Sequence, residues 1–281
     1  MEPLFETLLF DHKIYHTKMP GHTPGPGRVF SSLIVGSEKA LLIDTGYGIG
    51  DYKGYLEKLT DKPLIVVNSH GHIDHASGNC QFKEVWLSPL DYEVADIHTS
   101  LANRKRSKDL EGYEDLLVDG TYQRIPLHEG QVFDLGDRTI TAYACPGHTA
   151  GSMMFLDSLS NYLFTGDNIT RRVVLLGPVI GGTTLPEFYE ALVKAESLNC
   201  AGILAAHVPY IMEPSWIQKI KGIVEGFDPS KGKYPPINFN IQIPGLKAME
   251  YTVGKDFDDP NYCGFVFDAN HIDEFLGKKE G

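Results

Sequence analysis

The stretch NSHGHIDHASGN, residues 68–79, puts three imidazoles and one carboxylate, His70, His72, His75 and Asp74, within six residues. A single histidine is ordinarily structural, but four such groups directly after the apolar run PLIVV form a dense set of nitrogen and oxygen donors suited to a metal ion. Gly71 and Gly78 allow the backbone to turn tightly enough for the side chains to converge. Two ions would need more donors, and the chain has them at other strand ends: His148 in CPGHTAGS, Asp167 in LFTGDN and His207 in LAAHVP. Each has a plain reading alone, as a turn or an exposed bend, while their joint occurrence after hydrophobic runs points to a two-metal centre. A water shared by two cations loses its proton near neutral pH and becomes a nucleophile for a carbonyl or phosphoryl group.

Such donors must be aimed by strands. Residues 5–44 alternate short β-rich runs with turns and read as a β-meander; YKGYLEKL suits a short helix, and PLIVV a buried strand. Residues 89–108 have helical composition and are read as an amphipathic helix or a pair of helices, within an insert at 89–127. QVFDLGDRTITAYACPG reads as two strands across a turn at 135–137, and SMMFLD and NYLFTGD continue the pattern. LPEFYEALVKAESLN and EPSWIQKIKGIVEGF are helices, with the buried strand GILAAH between them. Strands first, then alternation of strand and helix, in both halves, imply sheets covered by helices. We divide the chain at 1–227, the catalytic part, and 228–281, an extension in which AMEYTVGKDF and NYCGFVFDA form a β-hairpin packed on the core; PPINFNIQIP precedes it.

Together, LLIDTG (41–46), SHGHIDHASG (69–78), CPGHTAGS (145–152), LFTGD (163–167) and AAH (205–207) resemble the metallo-β-lactamase superfamily of metallohydrolases, in the family's order and over roughly three quarters of the chain. The resemblance implies an α/β (α+β) fold, a four-layer αββα sandwich with a dinuclear centre along one edge of its two sheets. It implies that His70, His72 and His148 hold one metal, that Asp74, His75 and His207 hold the other, and that Asp167 bridges both. Asp44 matches the family's structural aspartate behind the ligand loop. Asp74 is expected to be the catalytic residue that orients the hydroxide and helps pass its proton to the leaving group. Zinc is the expected metal, with iron or manganese as alternatives for an all-His/Asp donor set. The Asp74-His75 pair with Asp167 is similar to the hydroxyacylglutathione hydrolase and lactonase branch, and β-lactamase activity is not expected. The hairpin tail differs from the helical glutathione-binding domain of hydroxyacylglutathione hydrolases. The expected substrate is thus a small ester, lactone, thioester or phosphodiester. The alternative is an iron-dependent oxidoreductase similar to persulfide dioxygenases.

Composition narrows the partners. With 281 residues, 42% hydrophobic and 22% charged, the chain can bury a sizeable core, and its net charge of −12 argues against a nucleic-acid surface. The one dense basic run, RKRSK at 104–108, reads as a solvated face. No signal peptide and no run of about 20 apolar residues is present, so a cytoplasmic protein without membrane contact is expected, with a homodimer allowed. Cys80, Cys145, Cys200 and Cys263 lie far apart and suggest neither disulfides nor a thiolate site. Candidate substrate contacts are Arg171 or Arg172 for an anionic group, Tyr47, and His22.

The string PGHT occurs at 20–23 and 146–149. The second copy presents His148; the first lies in a Gly/Pro loop expected to act as a flap. His148→Ala should lose bound metal, whereas His22→Ala should keep it and raise KM. Metal analysis of the two purified variants checks this, and equal metal loss would refute the distinction.

Overall fold

The computed structural model describes residues 3–22, 28–234, 245–255, 259 and 261–278. Residues 23–27 of the Gly/Pro loop and the PPINFNIQIP stretch at 235–244 lie outside these. The first sheet opens as an antiparallel meander, β1 (Glu6–Phe10), β2 (Ile14–Lys18), β3 (Phe30–Val35) and β4 (Ala40–Ile43). It continues in parallel through β5 (Leu64–Val67), β6 (Glu84–Leu87) and β7 (Gln123–Pro126). Parallel neighbours need crossover connections. These carry α1 (Tyr52–Leu56), α2 (Ile73–Ala76), α3 (Tyr92–His98) and α4 (Leu101–Arg104), so the ligand-rich loop and the insert both lie on crossovers.

The second sheet is antiparallel through β8 (Val132–Asp134), β9 (Thr139–Ala144), β10 (Met153–Asp157) and β11 (Tyr162–Gly166). The chain then departs into β12 (Arg172–Leu175), passes through α5 (Leu185–Ser197), and returns as β13 (Gly202–Ala205) parallel to β11. After α6 (Ser215–Glu225), β14 (Ala248–Val253) and β15 (Cys263–Asp268) form an antiparallel hairpin whose second strand pairs in parallel with β12; α7 (Ile272–Phe275) follows. The tail therefore builds a third sheet with a strand from the body.

Period-two burial explains the layering. In β4, Leu41 and Ile43 face the space between the sheets while Ala40 and Leu42 face outward onto Tyr52 and Leu56. In β10, Met153 and Phe155 face the same inner space from the opposite side while Met154 turns toward α5 and α6. Both faces of both sheets are covered, giving the helix–sheet–sheet–helix order of the metallo-β-lactamase fold. The α5 helix begins at a capping box of Thr184 and Glu187 and buries Leu185, Phe188, Leu192 and Ala195 along one stripe. The same cluster takes Phe265, Phe267 and Phe275 from the tail. Among the described residues, no helix is long and apolar enough to cross a membrane.

Backbone hydrogen bonds stitch the two sheets together at one edge: Met153 N donates to Ser69 O (2.7 Å) and Phe30 N to Ala206 O (2.7 Å). Buried His16 adds a side-chain link, its Nε2 3.0 Å from Val208 O and its Nδ1 2.9 Å from Ser32 Oγ, with the ring stacked on Phe30 at 4.5 Å. Because Val208 O can only accept, Nε2 carries the proton and Nδ1 accepts from the serine. Burial pushes the His16 pKa down to about 4, against the weaker opposing pull of the Val208 carbonyl.

A pKa lowered by folding means that acid favours the unfolded chain, so the stability held by neutral His16 is present above about 6.5 and is lost as the pH falls toward about 4. The stability gap between wild type and His16→Gln, measured by urea unfolding at pH 7 and pH 4.5, should narrow by about 2 kcal/mol at the lower pH. An unchanged gap would refute this account of His16.

Candidate metal centre

The β4 strand leads directly into Asp44, whose backbone adopts a left-handed φ of 66° and turns its carboxylate back under the loop that follows β5. Its Oδ1 accepts Ser69 N (2.7 Å); its Oδ2 accepts Ser69 Oγ (2.7 Å) and lies 2.9 Å from His75 Nδ1. The rest of the loop is tied down by buried amides and hydroxyls. Thr45 Oγ1 and Asn68 Nδ2 both reach His75 O (3.1 and 3.2 Å), and Asn79 Nδ2 donates to Asn68 Oδ1 (2.7 Å). Asp91 grips it from outside, accepting Gly71 N (2.8 Å) as well as Thr149 Oγ1 and Gly151 N (both 2.8 Å), and so joins the His70–His75 loop to the loop bearing His148.

These supports settle which imidazole nitrogens are free. The Ser69 hydroxyl hydrogen is spent on Asp44, so Ser69 Oγ accepts from His70 Nδ1 (3.1 Å) and leaves the Nε2 lone pair of His70 facing inward. Likewise, His75 Nδ1 donates to Asp44 and His148 Nδ1 to Val174 O (2.7 Å), which frees Nε2 in both. Fixing the tautomer through the outer nitrogen is how proteins prepare histidine for a metal.

The inward atoms converge in three groups, His70/His72/His148, His70/His75/Asp167 and Asp74/His75/His207, with the donor atoms of each group within 4.8 Å of one another. His72 Nδ1 and His148 Nε2 are 2.8 Å apart. Asp167 reaches both ends of the array, Oδ2 lying 3.1 Å from His207 Nε2 and 3.6 Å from His148 Nε2, and Oδ1 3.4 Å from His75 Nε2. Asp74 Oδ2 lies 3.5 Å from both His75 Nε2 and His207 Nε2.

Charge runs the same way. Burial lowers His70 and His72 well below the ordinary imidazole range, and neighbouring histidines add to it. Burial would raise the Asp74 and Asp167 carboxyls, yet the adjacent His75 and His207 outweigh it and hold both below the usual carboxylate range. Burial would lower His75 and His207, but the facing aspartates raise both, so this half of the site draws positive charge. His70 Nε2, His75 Nε2 and Asp167 Oδ1 are buried without a hydrogen-bond partner, a condition that costs about 1–3 kcal/mol per atom unless something fills it. Lone pairs and carboxylate oxygens aimed at common points fit divalent cations.

The family model for the metallo-beta-lactamase superfamily matches residues 24–207. The chain belongs to this superfamily. It is 30% identical over 156 residues to acyl-coenzyme A thioesterase MBLAC2 of Homo sapiens, which covers 48% of this chain and 56% of the relative. It is also 30% identical over 190 residues to atrochrysone carboxyl ACP thioesterase of Emericella nidulans, covering 64% and 52%. The chain spans about half the length of these curated relatives. Its fold is similar to that of an archaeal metallo-beta-lactamase superfamily protein from Sulfolobus tokodaii, with a TM-score of 0.54 and 21% identity across 73% of this chain and 83% of that one.

Around this superfamily centre, the expected substrate contacts separate. Arg171 donates Nη2 to Asp259 O (2.6 Å) and Arg172 Nη1 stands 3.9 Å from Glu250, so both reach the C-terminal segment. Tyr47 is 1% exposed, and its ring packs so closely under Gly21 that a methyl there would come within 2.6 Å. His22 lies against the insert, its backbone N donating to Asp109 O (2.7 Å) and its ring 5.4 Å from that of Tyr113. Burial and then the charge of Asp74 push the Asp109 carboxyl up to about 6, with His22 opposing.

Several residues of the site had no signal in the spacing. Asp91 stands in an ordinary Ser-Pro-Leu-Asp helix start. His98, within the insert, stacks on His72 at 4.8 Å. Asn168 accepts His148 N (2.8 Å) and donates to Cys145 O (2.6 Å), and its place directly after Asp167 was its sole hint.

Asp44→Asn would put an amide where a carboxylate now accepts from three donors. It should weaken metal affinity at least about tenfold while circular dichroism stays unchanged. Competition with a chromophoric chelator measures this; undiminished affinity would show that Asp44 does not orient the site.

Proposed function

We propose that this protein is a metal-dependent hydrolase of acyl thioesters. The observation that carries this reading is the convergence of inward-facing, unpartnered donors from His70, His75 and Asp167 with His72, His148, Asp74 and His207. His70, His72 and His148 would hold one cation, Asp74, His75 and His207 a second, with Asp167 between them; zinc suits the donors, as do iron and manganese. Bound there, the two cations would acidify a water and stabilise negative charge developing on the substrate carbonyl oxygen.

The chain's own residues supply orientation. Asp74 lies between His75 and His207, where its carboxylate can accept a hydrogen bond from the attacking water, align it, and carry its proton toward the leaving group. Within the set of small esters, lactones, thioesters and phosphodiesters, the thioester is favoured on two grounds. The relatives named above are thioesterases. A thiol also leaves as a thiolate with a pKa of about 8.5, which asks little of a general acid, and this site is built of acceptors. The same relatives favour hydrolysis over the iron-dependent oxidoreductase.

Purified protein should hydrolyse acyl thioesters, lose that activity on chelation and regain it with added zinc or manganese. Asp74→Asn should lower kcat by about 100-fold or more with the fold intact. Hydrolysis indifferent to chelation, or a wild-type rate in Asp74→Asn, would sink the proposal.

A further inference from the structure

In the His70/His72/His148 group, two of the three imidazoles are oriented through the nitrogen that faces away from the centre. His70 Nδ1 meets Ser69 Oγ at 3.1 Å, and His148 Nδ1 meets Val174 O at 2.7 Å. His72 is built differently. Its Nδ1 faces the centre, 2.8 Å from His148 Nε2, and among the described residues no group forms a hydrogen bond with its Nε2. The χ2 torsion of a histidine has a broad range of its own, so without an outer hydrogen bond the plane of this ring must be held by packing. Three rings surround it. His70 and His148 stand at 83° and 85° to the His72 plane, with centroids 4.7 and 4.5 Å away. His98 lies nearly parallel, at 20° and 4.8 Å, and covers a flat face of the ring. The first two belong to the donor group itself, whereas His98 comes from outside it.

The backbone that carries His98 is anchored at both ends of α3. At its C-terminal end, His98 O accepts from Asn103 Nδ2 (3.1 Å), and the next residue, Thr99, donates Oγ1 to Ala95 O (2.8 Å) and accepts Arg104 Nε on its carbonyl (3.0 Å). At the other end, Asp91 accepts Gly71 N and Gly151 N (both 2.8 Å). Between them, Ala95 packs so closely on Gly71 that a methyl there would stand 3.0 Å from Ala95 N. The helix is thus fixed to the residue directly before His72 and to the loop bearing His148. That attachment sets how the His98 ring meets the His72 ring.

We propose that His98 is a positioning residue of the metal centre: its ring, stacked on His72, fixes the plane in which His72 Nδ1 is presented, in place of the outer hydrogen bond that His70 and His148 have. This rests on the reading of His70, His72 and His148 as the holders of one cation. A donor already held in its bound orientation loses less freedom when the cation arrives, and a stacked aromatic pair supplies a directional contact of that kind. His72 takes part in one of the three donor groups found among the described residues, so the effect should fall on one of two cations.

The test reads metal binding apart from turnover. The purified chain, stripped of metal by chelation, is titrated with zinc against a chromophoric chelator, and the two affinities are fitted separately. In His98→Ala one of them should weaken by about three- to tenfold while the other stays within about twofold of wild type. His98→Phe, which keeps a flat ring and removes both nitrogens, should restore the wild-type value. His98→Gln, which keeps a polar group and removes the ring, should behave as the alanine variant does. Cobalt-loaded protein gives a second readout, since its visible ligand-field bands should shift in His98→Ala and return in His98→Phe. Unchanged affinity in His98→Ala, equal loss at both cations, or rescue by glutamine and not by phenylalanine would overturn the proposal, the last by showing that a nitrogen of His98, and not its stacked ring, is what the centre needs. A wild-type chain that binds fewer than two cations would refute the two-cation reading and this inference with it. Two cations bound at wild-type affinity in all three variants would refute this inference alone and leave that reading standing.

Discussion

The buried carboxylate of Asp44 is the constraint on which the site depends. It accepts a backbone N–H and a hydroxyl from Ser69 and faces His75 Nδ1, and through Ser69 it reaches His70. One acidic group behind the loop therefore sets the tautomers of two histidines that between them take part in all three donor groups. The left-handed backbone at Asp44 is what aims this carboxylate, and Ser31 Oγ holds the strained residue by donating to its carbonyl (2.7 Å). A small change there would be felt at both ends of the array, because the interior is too closely packed to absorb it locally.

The two sheets serve this arrangement as an alignment device. The edge at which Met153 N meets Ser69 O, and Phe30 N meets Ala206 O, is where the loops after β5, β9, β11 and β13 emerge side by side. Donors separated by more than a hundred residues then face one another, since hydrogen bonds between backbones leave little freedom in register. Asp91 performs the same task from the helical side, clamping the His70–His75 loop and the His148 loop with one carboxylate. Charge follows position: two half-buried aspartates among imidazoles make a pocket that is stable when positive charge enters it.

Much of this was legible beforehand. The meander, the buried strands LIVV and GILA, and the helices α5 and α6 carry periodic patterns that local physics reads directly, and the tail's hairpin does too. The dense His/Asp loop stands out because its composition is costly to explain by packing. Arg171, Arg172 and Tyr47 follow site residues closely in sequence, yet the arginines reach Asp259 and Glu250 and Tyr47 is buried, because a strand or loop can turn such a neighbour into the core or toward another segment. The pairing of β15 with β12 was illegible because it joins residues about ninety apart with no complementary pattern beyond alternation.

By itself the sequence determined the chemistry on offer, a set of nitrogen and oxygen donors at strand ends, and the layered fold that could present it, because donor types and hydrophobic periods are local properties. Tertiary structure alone decided which nitrogen of each imidazole faces inward and which acids stand behind the ligands. Those depend on hydrogen bonds and packing between distant segments, whose partners have no fixed spacing along the chain.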